Sequence, residues 1–255
     1  MLSFTKEKGS RRIARILGGN LNGKYLYLHS SNGSGGGDSK KEILLKEGIM
    51  VPLPNRNIVE KIYVTAPSGS GKSTWVGKWM SEYRRMFKQS EIFVFSSIAR
   101  DKSIDKNDPI RIKLDEELIQ DPINPDEIPN SLVVFDDTDT ISNVRIKTGI
   151  SIFRDFMLEQ GRHFNIRMLI TSHLLSNYKH TRRILNESTC VVVFPKAGSG
   201  TFHIKKFLQQ YCGFNNKQIK KFINLPSRWV AIYRSYPQYV MYESGCYFPD
   251  IDEFK

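Results

Sequence analysis

One glycine-rich segment limits what this chain can fold into more than any other. Residues 66–73 read A-P-S-G-S-G-K-S, and an apolar run at residues 61–65 precedes them. This is the pattern G-x-x-x-x-G-K-[ST], with Ala66 in place of the first glycine. Gly69 and Gly71 allow a turn in which successive backbone N–H groups point at phosphate oxygens. A segment with helical spacing follows, so the sequence predicts a strand, a phosphate-binding loop and a helix whose positive end faces the phosphates.

The positions of this loop have separate predicted roles. Lys72 is expected to reach the β- and γ-phosphates of a nucleotide, and the Ser73 hydroxyl to complete a Mg²⁺ shell. ATP and Mg²⁺ are therefore the expected cofactors. The predicted nucleotide contacts are Pro67, Ser68, Gly69, Ser70, Gly71, Lys72, Ser73 and Thr74. A chance glycine turn is the alternative, and the flanking strand and helix patterns argue against it.

A second segment supplies the carboxylates that hydrolysis needs. Residues 131–137 read S-L-V-V-F-D-D, so four apolar residues deliver two acids to the end of a strand. This is the Walker-B arrangement, in which Asp136 is predicted to hold Mg²⁺, directly or through water, and Asp137 to polarise the attacking water. The alternative is a pair of solvated loop aspartates. Asp139 is either an acid behind the metal ligands or a turn residue, and the turn is favoured.

Two further segments place polar groups near these acids. The strand at residues 166–171 continues into Ser172 and His173. If this strand lies between the P-loop and Walker-B strands, His173, and next Ser172, would sense the γ-phosphate or contact the water; a buried histidine with satisfied hydrogen bonds is the alternative. Arg162 follows a predicted helix end and is a candidate to enter a neighbouring subunit's site. From the chemistry alone, a surface arginine that caps its own helix is favoured.

The rest of the pattern alternates strands and helices around the loop, which predicts an α/β fold with a mostly parallel central sheet. The predicted strands of this core are residues 62–65, 91–95, 132–135, 166–171 and 190–194, with helices after the loop and at 150–160, closed by Gly161. Outside the core the prediction is a β-hairpin at 12–29, a Gly/Ser linker at 30–38, a strand within 43–53, basic helices at 202–211 and 216–224, and a hairpin at 229–242.

These zones predict three segments. Residues 1–57 form a β-rich N-terminal segment, residues 58–200 the P-loop core, and residues 201–255 a C-terminal segment that belongs to the same domain as the core. A chain of 255 residues suits this size of α/β domain with an appendage.

The charge balance points to a polyanionic partner. The chain carries 38 Lys and Arg against 26 Asp and Glu, a formal net charge of +12. Such a field attracts nucleic acid or acidic membrane, although a basic protein without such a partner can have the same composition. The candidate phosphate contacts are Lys179, Arg182 and Arg183 in a loop beyond the fourth core strand, and Lys205, Lys206, Lys217, Lys220 and Lys221 on the tail helices.

The cysteines and the apolar runs limit the compartment. Cys190, Cys212 and Cys246 are widely spaced and odd in number, which predicts free thiols in a reducing compartment and no zinc site of the C-x-x-C kind. The N-terminus has no apolar signal-peptide core, and no run approaches the ~20 apolar residues that a spanning helix needs. The sequence therefore predicts a soluble intracellular protein without a membrane span.

Four blocks in order give the chain a family resemblance: A-P-S-G-S-G-K-S, L-V-V-F-D-D, G-R-H-F-N-I and L-I-T-S-H. Over residues 58–194 they resemble the virion DNA-packaging ATPases of large eukaryotic double-stranded DNA viruses, the poxvirus-type branch of the FtsK–HerA superfamily. The resemblance implies a homo-oligomeric ring that hydrolyses ATP to move duplex DNA. It also implies a place in the host cytoplasm or the virion, with a capsid or inner-membrane component as a docking partner.

The resemblance assigns roles residue by residue. It implies Walker-A roles for Lys72 and Ser73, Walker-B roles for Asp136 and Asp137, a sensor segment at residues 171–173, and a trans-acting finger at Arg162. The chain departs from the family at Ala66, at Asp137, where many members of the wider superfamily have glutamate, and at His173, where many have glutamine. The shorter acid puts Asp137 in doubt as the sole base.

Two other functions stay open on the sequence alone. A nucleoside or nucleotide kinase shares the P-loop and the size, but the acidic pair, the R-H block and the +12 charge argue against it. A nucleotide-dependent capsid scaffold without hydrolysis is disfavoured by the intact lysine and both aspartates.

Overall fold

The computed structural model describes residues 1–29, 39–175, 178–197 and 201–249, with the side chains of residues 178–180 left out. The predicted Gly/Ser linker at 30–38 therefore lies outside the described residues. The chain divides into two compact units: residues 57–192, called here the P-loop unit, and residues 1–56 with 193–255, called here the terminal unit. The predicted division into three segments stays a prediction.

The elements follow one another in a largely alternating order. The strands are β1 (Leu2–Ser3), β2 (Arg11–Leu17), β3 (Tyr25–Leu28), β4 (Glu42–Leu44), β5 (Ile49–Pro52), β6 (Lys61–Thr65), β7 (Ile92–Ser96), β8 (Ile110–Ile112), β9 (Leu132–Asp136), β10 (Arg167–Ser172), β11 (Cys190–Val193), β12 (Val230–Tyr233), β13 (Tyr239–Tyr242) and β14 (Gly245–Tyr247). The helices are α1 (Lys72–Met86), α2 (Lys102–Asp105), α3 (Glu116–Gln120), α4 (Val144–Gln160), α5 (Tyr178–Glu187), α6 (Thr201–Cys212) and α7 (Asn216–Ile223).

The P-loop unit contains the predicted parallel sheet. Its strands lie in the order β11-β6-β10-β9-β7-β8, and the pairs β6–β10, β10–β9, β9–β7 and β7–β8 are parallel. Every residue of β6, β9 and β10 is buried, as expected of parallel strands covered on both faces. The α/β fold is confirmed, and so is the insertion of β10 between the P-loop strand β6 and the Walker-B strand β9.

Helix α1 carries the loop lysine at its first position and anchors the loop to the core. Its buried stripe includes Trp75, Trp79 and Tyr83, and burying side chains of this kind stabilises the fold by about 1.5–3 kcal/mol each. Gly77 lies where α1 approaches α2, because a Cβ there would be 2.0 Å from the Ser103 carbonyl oxygen. The glycine is needed for this close approach.

Helix α4 begins earlier than predicted but ends at Gln160 with Gly161 as its C-cap, as predicted. It begins at Val144, before the predicted segment at 150–160, because Asn143 Oδ1 caps it by accepting from the N–H groups of Arg145 (3.0 Å) and Ile146 (3.2 Å). Gly161 has an ordinary right-handed φ of −56°, and the chain continues into a 3₁₀ turn, Gly161–Phe164. Arg162 therefore lies inside this turn.

The polar region after β7 contains two elements that the periodicity did not predict, β8 and α2. Strand β8 extends the sheet beside β7, and its three residues are at least partly exposed. Helices α2 and α3 begin at aspartate caps, Asp101 and Asp115, whose carboxylates accept backbone N–H bonds. Short, half-exposed elements of this kind have too few apolar positions to show a period.

The terminal unit contains two antiparallel arrangements of strands. One has the order β1-β3-β2-β5 and includes the predicted hairpin as β2–β3, and the other has the order β4-β14-β13-β12 and includes the predicted hairpin as β12–β13. The predicted strand within 43–53 is two strands, β4 and β5, with Gly48 at φ 84° between them. The predicted basic helices are α6 and α7; β14 was not predicted.

The cysteine and membrane predictions can be compared with these elements. All three cysteines are free, and burial raises the pKa of Cys212 to about 12, far above the range in which a thiolate forms near neutral pH. Among the described residues, no helix combines the length and the apolar character that crossing a membrane requires.

Candidate nucleotide site

The loop between β6 and α1 has the backbone that a phosphate site requires. Gly69 has φ 76° and Gly71 has φ 94°, both in the left-handed region that favours glycine. A Cβ at Gly69 would meet nothing within 4 Å, so conformation and not space requires the glycine there. The Ser70 hydroxyl donates to the Pro67 carbonyl at 2.7 Å and closes the loop on itself.

Ala66, the departure from the P-loop pattern, is accommodated without backbone strain. It is buried, is not among the residues with positive φ, and donates its N–H to the Ser172 carbonyl at 3.2 Å. An alanine methyl therefore fits where the pattern has glycine. The positions that need the left-handed conformation, Gly69 and Gly71, are retained.

Lys72 and Asp137 form an ion pair in the interior of the site. The lysine Nζ contacts Asp137 Oδ1, and the two residues are 6% and 9% exposed. Asp137 has φ 48° and ψ 36°, a conformation that aspartate tolerates better than most residues. The turn after β9 therefore directs the second Walker-B acid at the Walker-A lysine, which joins the two motifs that the sequence predicted.

Thr171 connects the end of β10 to both Walker-B acids. Its Oγ1 lies 2.9 Å from Asp136 Oδ1 and 2.9 Å from Asp137 Oδ1 and accepts the Asp137 N–H at 2.8 Å. The single hydroxyl proton serves one carboxylate at a time. Thr171 is 1% exposed, so this hydroxyl is part of the buried structure. Sequence reasoning reached Thr171 only through the family resemblance.

Asp136 is the more buried of the two acids. Its side chain accepts from Thr171 and, at Oδ2, from the Ser96 hydroxyl at 3.2 Å. Burial raises the pKa of Asp136 above its ordinary value because the carboxylate loses water; the Thr171 hydrogen bond opposes that rise, and the charge of Asp137 adds to it. A desolvated carboxylate of this kind gains most from a nearby cation.

The two candidate sensor residues contact different acids. His173 Nε2 lies 3.3 Å from Asp137 Oδ2, and its side chain is 30% exposed. The Ser172 hydroxyl instead donates to Asp139 Oδ2 at 2.8 Å. Of the two, only His173 therefore reaches a Walker-B acid.

Asp139 does more than end a turn. It lies in the 3₁₀ turn Thr138–Thr140, and its Oδ2 accepts both the Ser172 hydroxyl and the His173 N–H, the latter at 3.1 Å. The turn interpretation favoured from the sequence is therefore incomplete, because this carboxylate fixes the polar end of β10. A third acid two positions after the D-D pair was the only sequence signal for it.

Two carboxylates and one imidazole at this edge are close enough to hold a metal ion. Asp137, Asp139 and His173 each offer a ligand atom, and these atoms lie within 4.8 Å of one another. Asp139 Oδ1 is buried and has no hydrogen-bond partner among the described residues. The predicted ligands differ from this cluster: Ser73 lies in the first turn of α1, and Asp136 lies at the end of β9. Carboxylate and hydroxyl oxygens are the ligands that Mg²⁺ prefers.

Arg162 is exposed on the 3₁₀ turn Gly161–Phe164, which follows α4. Its carbonyl accepts the Asn165 N–H at 3.3 Å, and its side chain makes no ion pair within the part of the chain that the structure describes. The guanidinium therefore projects from the unit instead of neutralising a neighbouring acid.

The predicted basic loop after the fourth core strand is wrong in its geometry. Lys179, Arg182 and Arg183 lie on helix α5, and Arg183 pairs with Asp155 (3.4 Å) and Glu159 (3.3 Å) of α4. The loop interpretation failed because the helical period of α5 was hidden by its polar composition. The side chain of Lys179 lies outside the described residues.

Comparison with known proteins places the chain beside a viral relative. No protein-family model matches the sequence. Uncharacterized protein V3 of Sputnik virophage is 38% identical over 248 residues, which cover 96% of this chain and 98% of that protein.

Several solved structures resemble the fold. The cytoplasmic domain of the type VII secretion ATPase EccC of Thermomonospora curvata has a TM-score of 0.52 and 12% identity, over 84% of this chain and 30% of that one. The conjugation coupling protein TcpA of pCW3, solved with ATPγS, has a TM-score of 0.50 and 11% identity, over 95% and 78%. The genome packaging NTPase B204 of Sulfolobus turreted icosahedral virus 2, solved with AMPPCP, has a TM-score of 0.48 and 7% identity, over 71% and 96%.

The predicted motifs lie at the ends of the neighbouring parallel strands β6, β10 and β9. The structural similarity to EccC and TcpA supports the same fold. The chain therefore belongs to the protein family of V3 from Sputnik virophage, and its fold is similar to that of the solved ATPase EccC and the coupling protein TcpA.

Proposed function

We propose that this chain hydrolyses ATP with Mg²⁺ and uses the energy to move double-stranded DNA, as a homo-oligomeric ring that packages a viral genome. The observation that carries the proposal is the meeting of Lys72, Asp136, Asp137 and Thr171 at one end of the parallel sheet. Phosphoryl transfer to water requires a group that holds the phosphates, an acid that holds Mg²⁺ and a residue that orients the attacking water, and these residues can supply all three.

Nucleotide binding exchanges the partner of Lys72. Without nucleotide, Asp137 satisfies the buried ammonium group. Phosphate oxygens that enter the loop would take over Lys72, and the N–H groups around Gly69 and Gly71 would hold the same phosphates. This exchange releases Asp137 for catalysis.

The released carboxylate can then act on water. Asp137 would accept a proton from the attacking water, and His173, 3.3 Å away, would hold that carboxylate in place or contact the γ-phosphate. Ser73 and Asp136 are the proposed metal ligands, and bound Mg²⁺ would neutralise charge on the β- and γ-phosphates. Thr171 keeps both acids oriented throughout.

Arg162 is the proposed contribution of a neighbouring subunit. Arg162 is exposed on the turn Gly161–Phe164, which directly precedes β10, and no acid of the described residues forms an ion pair with it. An arginine from outside would stabilise the charge that develops in the transition state. Hydrolysis would then depend on assembly, as the resemblance implies.

The DNA partner is supported by charge and by the resemblance. A net charge of +12 attracts a polyanion at long range, and contacts to phosphates carry no sequence preference. The resemblance extends the proposal to the host cytoplasm or the virion as the place of action, with a capsid or inner-membrane component as the docking partner.

ATP turnover with and without duplex DNA, at low and high salt, tests the proposal. We expect DNA to stimulate turnover and added salt to remove the stimulation, because phosphate contacts release counterions. An Asp137→Asn variant, which retains the shape of the side chain, serves as the inactive control. ATP consumption only after a nucleoside is added would indicate a kinase, and an absence of turnover under every condition would indicate a scaffold.

A further inference from the structure

The net positive charge lies almost entirely in one of the two units. The terminal unit carries 19 Lys and Arg against 8 Asp and Glu, a net charge of +11. The P-loop unit carries 19 against 18, a net charge of +1. The long-range attraction for a polyanion therefore originates almost entirely in the residues outside the ATPase site.

Within the terminal unit, one long stretch has no acidic residue at all. No Asp or Glu occurs from residue 193 to residue 242, which spans α6, α7 and the β12–β13 hairpin. Eight basic residues lie in this stretch: Lys196, Lys205, Lys206, Lys217, Lys220, Lys221, Arg228 and Arg234. An ordinary solvated surface mixes both signs of charge, so the absence of acids argues for an anionic ligand.

The helices α6 and α7 form a well-defined helix–turn–helix pair. Three residues join them, and Gly213, at φ 70°, ends α6 with the Phe214 N–H donated to the Leu208 carbonyl at 3.0 Å. Asn215 begins α7 with a capping box: its Oδ1 accepts the Gln218 N–H at 2.9 Å, and Gln218 Oε1 accepts the Asn215 N–H at 2.8 Å. Two helices joined by a short glycine-containing turn are a common support for DNA contact.

Apolar and basic residues occupy opposite sides of this pair. The buried side contains Ile204, Phe207, Leu208, Ile219 and Phe222, and Phe214 packs edge-on against Phe222 with 6.3 Å between ring centroids. The exposed side contains Lys205, Lys206, Lys217 and Lys220. The apolar contacts fix the helices, so the lysine stems start from fixed positions.

Two other basic residues of the stretch, Lys221 and Arg228, form ion pairs with acids of the terminal unit. Lys221 Nζ lies 3.2 Å from Glu42 and 4.1 Å from the Tyr247 ring centroid, and Arg228 pairs with Glu243 at 2.8 Å. These contacts stay within the terminal unit. Lys221 and Arg228 are therefore left out of the proposed contact.

We propose that the exposed side of α6 and α7 binds the phosphates of duplex DNA through Lys205, Lys206, Lys217 and Lys220. This inference rests on the proposed function and names the surface with which the ATPase binds duplex DNA. The contact is ionic and independent of sequence, as movement along a whole genome requires. This surface replaces the DNA contact predicted from the sequence in a loop after the fourth core strand. That segment is helix α5, and its Arg183 pairs with Asp155.

A charge-removal triplet tests the contact. Lys205→Gln, Lys217→Gln and Lys220→Gln together keep helix-forming polar side chains and remove three charges from the proposed surface. The matched control replaces three exposed lysines of the P-loop unit, Lys88, Lys102 and Lys106, by Gln, so the two variants have the same net charge. Fluorescence anisotropy of a mixed-sequence duplex is measured over a range of salt concentrations, together with ATP turnover without DNA.

The expected result is specific to the α6–α7 triplet. Its Kd for duplex should rise about tenfold or more near 0.1 M salt, and the slope of log K against log salt should fall by about 0.9 for each lysine removed. The control triplet should bind as the wild type does within about twofold. Turnover without DNA should be unchanged in both, because none of the six lysines lies in the nucleotide site, and Lys→Arg at the three positions should restore binding.

The outcomes separate this contact from the proposed function. If the wild type binds duplex and the α6–α7 triplet binds equally well, the contact is wrong and the motor stands. If the wild type binds no duplex at any salt concentration, both are wrong. If the triplet loses binding to phosphatidylserine vesicles while it keeps its affinity for duplex, the surface binds acidic lipid and the DNA contact is overturned.

Discussion

Thr171 shows how single atoms hold this site together. One buried hydroxyl lies 2.9 Å from a carboxylate oxygen of Asp136 and 2.9 Å from one of Asp137, and it also accepts the Asp137 N–H. The second acid in turn pairs with Lys72. The Walker-A and Walker-B residues therefore depend on a third residue that neither motif contains.

Thr171→Val should damage both stability and turnover. The substitution keeps the shape and removes the donor shared by two buried carboxylates, which should cost about 1–3 kcal/mol of unfolding free energy and lower kcat. Thr171→Ser retains the hydroxyl and should recover most of both. Urea unfolding and ATP turnover measure the two effects. A valine variant as stable and as active as the wild type would show that this hydroxyl is dispensable.

Asp139 should act through the end of β10. Asp139→Ala removes the acceptor of the Ser172 hydroxyl and the His173 N–H, so we expect kcat to fall about tenfold or more while the KM for ATP changes little. Asp139→Asn keeps one oxygen acceptor, so its kcat should lie between those of the wild type and Asp139→Ala. The control is Asp126→Ala, an exposed acid in the turn Pro125–Glu127. A rise in KM with an unchanged kcat would contradict this positioning role.

Many residues of the site could be predicted from the sequence, and those that were missed were missed for a physical reason. Lys72, Asp136 and Asp137 follow from local patterns, a loop before a helix and acids after an apolar strand. The bonds of Thr171 and Asp139 depend on which strand lies beside which, and that pairing joins segments more than 30 residues apart. The spacing of residues along the chain does not predict which strands pair.

At the scale of elements, the close approach of α1 and α2 is the feature most sensitive to a small change. A Cβ at Gly77 would lie 2.0 Å from the Ser103 carbonyl oxygen, which is backbone and cannot rotate away. Asn107 strengthens the same contact, since its side-chain amide donates to the Gly77 carbonyl at 3.1 Å. The helix that carries Lys72 is thus positioned by a residue without a side chain.

Gly77→Ala should therefore destabilise the fold despite the better helix propensity of alanine. We expect a loss of about 1–3 kcal/mol, since α2 must move to accept the methyl group. Lys78→Ala, at the next and partly exposed position of α1, should cost far less. Chemical unfolding of the two variants measures the difference, and an alanine at 77 that stabilises the protein would contradict the packing described.

The elements also show where periodicity succeeds. The buried strands β6, β9 and β10 are long apolar runs, and their order in the sheet was predicted correctly. The start of α4 was missed because the Asn143 cap precedes a turn that is mostly exposed, and β8 was missed because its three residues are at least partly exposed. Elements at the margin of the core lack the apolar contrast on which such predictions depend.

At the scale of the whole molecule, we propose that the P-loop unit hydrolyses ATP and the terminal unit contacts DNA. The acids and the loop lysine described above lie in the unit with a net charge of +1, whereas the proposed DNA contact lies in the unit with a net charge of +11. Net charge was visible in the sequence, but its distribution required the boundaries of the two units. A motor needs both functions in one subunit and cooperation between subunits.

Mixing two inactive variants tests that cooperation. Asp137→Asn supplies an intact Arg162, and Arg162→Ala supplies an intact Asp137. If Arg162 acts in a neighbour's site, mixed assemblies should recover turnover that neither variant has alone, with a maximum near equal proportions. ATP turnover measured against mixing ratio gives the answer, and mixtures that stay as inactive as the separate variants would place Arg162 outside the shared site.

Displacement of a third DNA strand tests the central claim most directly. A triplex-forming oligonucleotide bound to duplex DNA is removed when a motor moves along that duplex, so its release reports translocation and not hydrolysis alone. The wild type with ATP and Mg²⁺ should release the third strand, and the Asp137→Asn variant should bind the same duplex without releasing it. Vigorous ATP hydrolysis by the wild type on that duplex with the third strand left in place would contradict the proposal that this chain is a DNA-moving motor.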